Sequence, residues 1–202
     1  MGSTLPSHWK GCQPVVTDFP PEAILTLGPF IESVQQGVEA AGWELSGLQK
    51  TTSHQFEGRW DGESTRSAYL FFHLEHASTH ASIDVYLDET SRGLMGNMAV
   101  VVDLVDLSEL GRVEDCLGVL GGLSAASLPK GHCTPLSFRL RFPDAGQDPA
   151  GAEAQVRFKL RIPRATIHAG HAAVSGLAHQ TVRAFERVLA ADALRGMISA
   201  DE

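Results

Sequence analysis

Two stretches of this chain alternate so regularly that they leave one backbone conformation open. Leu136, Phe138, Leu140 and Phe142 alternate with Ser137, Arg139 and Arg141. After the loop PDAGQDPAGAE, Val156, Phe158, Leu160 and Ile162 alternate with Arg157, Lys159 and Arg161. Successive side chains of a strand point to opposite faces. Each stretch therefore predicts a strand with one apolar face and one basic face. The loop between them predicts a hairpin. An apolar face of that size has to be covered, so the hairpin must belong to a larger sheet with a second layer packed on it.

The remaining chain supplies both. Residues 1–20 hold Pro6, Pro14 and Pro20 without periodicity and are expected to form a flexible N-terminal arm. A helix is predicted from about Pro29 to Ala41, with Phe30, Ile31, Val34, Val38 and Ala41 at helical spacing. Gly37 should weaken it by about 1 kcal/mol relative to Ala. A strand-rich block follows. Phe56 and Trp60 alternate with Glu57 and Arg59, and Asp61-Gly62 signals a turn. Ser67–Glu75 reads as a central strand, Ile83–Asp88 as a half-buried one, and Met98–Val105 as a third β-branched run. A second helix is predicted over 108–121, capped by Ser108 and ending at Gly121-Gly122. A long last helix is predicted from His168 to Leu194, with Val174, Leu177, Ala178, Thr181, Val182, Phe185, Val188 and Leu189 in one apolar stripe. The order is α, three to four strands, α, ββ, α. This is an α+β fold, an antiparallel sheet with helices on one face, forming a single domain over 21–202.

Composition agrees with a soluble globular chain. Of 202 residues, 43% are hydrophobic and 20% charged, and a domain this size buries roughly 70% of its unfolded surface without staples. Lys and Arg number 16 against 24 Asp and Glu, for a net charge of -8. That balance disfavours direct binding to nucleic acid, which usually goes with a basic domain. Cys12, Cys116 and Cys133 are odd in number and share no metal-ligand spacing, which suits a reducing compartment. The opening MGSTLPSHWKGC lacks a basic start followed by an apolar run, and no window is apolar for long enough to span a membrane. The expected location is the cytoplasm.

No catalytic, metal or cofactor site emerges. His73, Glu75, His76 and His80 are close in sequence, and His168, His171 and His179 lie near the last helix. On a strand, however, His73 and His76 point to opposite faces, and surface or packing histidines are the default. Cys116 falls in an amphipathic helix and reads as a packing residue. Cys133 beside His132 is the more reactive cysteine by neighbourhood, but adjacency in sequence does not bring an imidazole onto a thiol. Gly-x-Ser-x-Gly and the glycine-rich phosphate loops are absent.

The feature with functional weight is the basic face of the hairpin. Arg139, Arg141, Arg157, Lys159 and Arg161 are five of the 16 basic residues in an acidic chain. One reading is a docking surface for an acidic partner segment. The other is a charge ladder within the sheet, because Asp84, Asp88 and Asp103 take outward positions on earlier strands and opposite charges across strands attract by about 0.2–1 kcal/mol. No aromatic interleaves these basic positions along the hairpin, which argues against single-stranded nucleic acid.

The element order, carried by FIESVQQGVEAAGWEL, SAYLFFHLE, ASIDVYLD, VVVDLVDLSELGRVEDCLGVLGG, the basic hairpin and the last helix, resembles YbjN-like proteins and the class I chaperones of type III secretion. The resemblance implies a small acidic homodimer that binds a partner protein and performs no catalysis. The middle helix, with Leu110, Val113, Leu117 and Leu120, or the neighbouring strand Met98–Val105, would be its dimer surface; alternatively that helix simply covers the sheet. The expected function is thus a chaperone-like or adaptor-like protein-binding module. Its acidity suits a basic client such as a nucleic-acid-binding protein. The alternative is a helix-grip domain, in which a curved sheet and the last helix enclose an apolar cavity lined by Phe72, Phe138 and Phe158.

Overall fold

The apolar stripe of the first predicted helix is where the fold begins. In a computed structural model, Leu27–Glu39 forms helix α1, with Phe30, Ile31, Val34 and Val38 buried as its spacing requires. The structure describes residues 22–54, 64–74, 77–79, 81–103, 115–119, 122, 133–141, 153–190 and 198–200. The N-terminal arm and the predicted Phe56–Trp60 strand with its turn lie outside them. So does most of the predicted middle helix.

Eight strands are described: β1 (Trp43–His54), β2 (Ser64–Leu74), β3 (Ala77–Thr79), β4 (Ala81–Thr90), β5 (Gly93–Asp103), β6 (Cys133–Arg141), β7 (Glu153–Arg161) and β8 (Ile198–Ala200). Six of them form one sheet in the order β1-β2-β4-β5-β7-β6, with every neighbouring pair antiparallel. The short β3 and β8 pair separately. The predicted basic hairpin is present as β6 and β7, with Phe138 opposite Val156 and Ser137 opposite Arg157. Pro135 falls where the β6 register shifts, on an edge strand, the place a sheet tolerates proline. Residues 115–119 form a helical turn, α2, inside the predicted middle helix.

The predicted last helix is present as α4 (His171–Leu189), preceded by a short helix, α3 (Arg164–His168). The break is at Gly170, whose φ of 95° suits glycine and few other residues. The backbone there also passes against Glu22, leaving no room for a Cβ. The stripe itself is as predicted. Val174, Ala178, Thr181, Val182, Phe185, Val188 and Leu189 are buried, and Leu177 packs against the core.

Helices α1 and α4 pack against each other and onto one face of the sheet. Phe30, Trp43, Leu70, Phe72, Ile83, Leu87 and Phe185 are fully buried between the layers. Each such side chain contributes about 1.5–3 kcal/mol. Polar groups at this interface are satisfied across it. The Trp43 indole N–H donates to Glu186 Oε1 (3.1 Å), and Glu186 Oε2 accepts from Arg183 (2.8 Å). Glu89, at the end of β4, accepts from the backbone N–H of Leu27 (2.7 Å) and pairs with Arg66. A carboxylate from the sheet thus caps α1, whose own N-cap Thr26 makes no side-chain cap bond.

Gly37 has a purpose that propensity alone does not show. It sits where α1 crosses α4, and a Cβ there would land on the Ser175 carbonyl oxygen and 2.8 Å from the Ala178 Cβ. Gly28, in the same helix, has nothing within 4 Å of the corresponding position. Gly37→Ala should therefore lower the urea midpoint by the equivalent of about 1–3 kcal/mol despite its better helix propensity. Gly28→Ala should leave the midpoint unchanged or raise it. Equal effects of the two changes would show that the helices do not meet at Gly37.

Candidate functional site on the sheet face away from the helices

With α1 and α4 on one face, the side chains that alternate with the core point the other way. Register aligns them in rows. One row runs Gln49, Tyr69, Tyr86, Asn97 and Arg161 across β1, β2, β4, β5 and β7. The next runs Gly47, Phe71, Asp84, Ala99, Lys159 and Thr134. From Gln49 to Asn97 in the first row and from Gly47 to Lys159 in the second, these residues line a broad groove of about 1140 Å³. The groove lies on the face away from the helices, which is not where a helix-grip cavity would be. Phe72 is fully buried on the helix side, and the side chains of Phe138 and Phe158 lie outside the described ones.

A bulge decides which β1 residues reach the groove. The pairing shifts between Leu45 and Gly47. Ser46 is the extra residue, and its hydroxyl donates to the Phe71 carbonyl (3.0 Å). Beyond the bulge, Gly47, Gln49 and Thr51 share the face away from α1 and α4 with Phe71 and Tyr69, and they line the groove.

The face has two chemically distinct halves. On β2 and β4, Tyr69 and Tyr86 stand with ring centroids 4.7 Å apart. Tyr69 is 38% exposed and Phe71 37%, large values for aromatics in a sheet. On β7, Arg157, Lys159 and Arg161 point to the same side. Arg157 forms an ion pair with Asp84, and both side chains are largely withdrawn from solvent, at 16% and 18% exposure. The ladder reading is therefore correct for Arg157: its charge is taken up inside the sheet. Among the described residues, neither Lys159 nor Arg161 has an ion-pair partner. Register places Arg139 opposite Gln155 and Arg141 opposite Glu153 on β6.

The acidic groups on this face are also engaged internally. Asp88 is buried and accepts a hydrogen bond from Ser67 Oγ (2.6 Å). Its carboxylate also holds the Tyr86 hydroxyl. Burial first, and then that hydrogen bond, push the Tyr86 hydroxyl up from 10.0 to about 12.

The other sequence-derived candidates are placed as follows. Leu117 packs against the core from α2, and the neighbouring Cys116 is buried. Leu110, Val113 and Leu120 lie outside the described residues. The strand offered as a second dimer surface, β5, is internal to the sheet. Both its edges are paired, and Met98, Val100 and Val102 are buried in the core. Glu75, His76 and His80 lie outside the described residues. His171 bridges α4 to α1 through Ser33 Oγ (2.8 Å) and Gln36, a packing role. Among the described residues, no group of three His, Cys, Asp or Glu side chains could hold a metal ion. No helix among them is long and apolar enough to cross a membrane.

Sequence reasoning missed the aromatic half. Ser67–Glu75 reads as a continuous apolar run, which suggests burial on both faces. Period-two bookkeeping was the available signal: Ala68, Leu70 and Phe72 form one set, and Tyr69, Phe71 and His73 the other. Comparison of the chain with protein-family models, curated proteins and solved structures finds no match.

The chain has only two tyrosines, so the Asp88–Tyr86 contact is readable by phenolate absorbance. A component titrating at about 12 is expected, absent in Tyr86→Phe and shifted toward 10 in Asp88→Asn. The unfolded chain releases this proton near 10 while the folded chain holds it, so the contact's contribution to stability declines as pH rises from 10 through about 12. An Asp88→Asn titration identical to wild type would show that Asp88 does not reach Tyr86.

Proposed function

We propose that this chain is a non-enzymatic protein-binding module, chaperone-like or adaptor-like, that acts as a homodimer on a partner protein in the cytoplasm. One observation carries the docking part. Exposed Tyr69 and Phe71 share with Lys159 and Arg161 a face that carries no helix among the described residues, and most of these side chains line its groove. Aromatic side chains that offer area at low entropic cost, beside cations, are the residues that dominate binding surfaces. The resemblance to YbjN-like proteins and class I secretion chaperones supports the same class and the dimer. The odd cysteine count supports the compartment. The net charge of -8 leaves the body of the protein suited to a basic client, such as a nucleic-acid-binding protein, while the groove takes an acidic segment.

Arg157 is unsuitable for testing this, because reversing its charge would strand Asp84 within the sheet and strike stability. Lys159→Glu with Arg161→Glu, and separately Phe71→Ala, leave that ion pair in place. The tagged wild type and these variants should be compared in capture from a nuclease-treated lysate of the source organism. A partner retained near stoichiometrically by wild type should fall by about tenfold or more in both variants, about 1.4 kcal/mol, with unchanged circular dichroism. Equal retention by all three proteins would remove the docking face. Light scattering should give twice the single-chain mass of 21.7 kDa. A single-chain mass at working concentration would remove the dimer.

A further inference from the structure

The two halves of the face away from the helices are separated by a fixed number of strands, and that separation specifies a ligand. Tyr69 and Phe71 stand on β2, Lys159 and Arg161 on β7, and the strands between are β4 and β5. Three strand-to-strand steps amount to about 14 Å. An extended peptide rises about 3.3 Å per residue, so it covers that distance in about four residues. In an extended chain, residues four apart also point to the same side.

We propose that the groove binds an extended segment of a partner protein that lies across the strands. The segment places an aromatic or large apolar side chain on Tyr69 and Phe71, and a carboxylate on Lys159 and Arg161 about four residues away. This rests on the protein-binding reading above and adds the chemistry and spacing of the ligand. The floor between the two halves suits a backbone. Ala99 has almost no side chain, and it is flanked in its row by Asp84, whose charge Arg157 takes up. In the neighbouring row Asn97 supplies a neutral amide that can both donate and accept. A segment running along the strands would meet only one half.

Charge chooses a peptide over single-stranded nucleic acid. Both ligands could stack on Tyr69 and Phe71. A nucleic acid, however, carries a phosphate at every residue. Crossing from β2 to β7 it would bring phosphates over the aromatic half, away from Lys159 and Arg161, on a chain of net charge -8. A peptide can confine its negative charge to the end that meets Lys159 and Arg161. Those are the cations of this face that lack an ion-pair partner among the described residues.

The test is an array of short Ser/Gly peptides, each with one Phe and one Glu placed two, three, four or five residues after it, and a matching set with Lys in place of Glu. It is probed with the labelled full chain. The order is also inverted, with Glu before Phe, because either chain direction can cross the sheet. Glu at a separation of four should give the strongest signal in at least one direction, about tenfold above separations of three and five, which point to the opposite side. That signal should be lost in Lys159→Glu/Arg161→Glu and in Phe71→Ala, both checked for folding by circular dichroism. Binding without spacing preference, yet lost in the variants, overturns the proposed ligand and leaves the docking face standing. Signal no higher for Glu than for Lys also overturns it. If no peptide binds above blank, the proposal falls; should partner capture also prove indifferent to the variants, the docking face falls with it. An oligothymidylate that competes better than the best peptide would overturn the proposal and assign the face to nucleic acid.

Discussion

The close crossing of α1 over α4 at Gly37 sets the terms for everything else. It lets two helices act as one thick layer, with Phe30 and Val34 on one side of the crossing and Val182 and Phe185 on the other all reaching the same sheet face. Two helices covering one face of a six-stranded sheet are enough to bury Trp43, Phe72 and Ile83. The other face has no helix among the described residues. Its side chains must therefore be compatible with water, with one another or with a ligand.

Most of that face is settled by pairing within it. Arg157 answers Asp84, and Ser67 and Tyr86 answer Asp88. Such pairs are poor sources of net stability, because desolvation offsets much of the attraction. Their effect here is to remove charge selectively. Once they are formed, Lys159 and Arg161 are left without an ion-pair partner among the described residues, and the Tyr69 and Phe71 rings remain partly exposed. What began as a uniform basic hairpin becomes a face divided by strand position into an aromatic side and a cationic side.

The fold was legible wherever periodicity was unbroken. The stripes of α1 and α4 and the alternation of β4 identified their buried residues almost side chain by side chain. β1 was not legible, and the reason is local. Trp43 and Leu45 keep a period of two, but the bulge at Ser46 moves the next apolar residue in register with the helix-side set to Leu48, opposite Leu70, so the pattern slips by one. The start of the last helix was set three residues early, at His168, because the backbone angle of Gly170 and its crowding against Glu22, which separate α3 from α4, leave no periodic trace. For the candidate site, the basic positions were visible because they share one hairpin. The aromatic positions sit on another strand, and only the sheet order brings β2 within three steps of β7.

That dependence on sheet order makes the site a property of topology rather than of a motif. A contiguous motif specifies its ligand through neighbours in sequence. Here Phe71 and Lys159 share a row only because β4 and β5 intervene in register, so a one-residue slip in either strand would turn one half of the face toward the helices. The strongest protection against such a slip is the core, since each slipped strand would expose residues such as Ile83 or Met98 and bury Asp84 or Asn97 in their place. The helical layer on the opposite face thus holds the aromatic and cationic halves in their fixed relation.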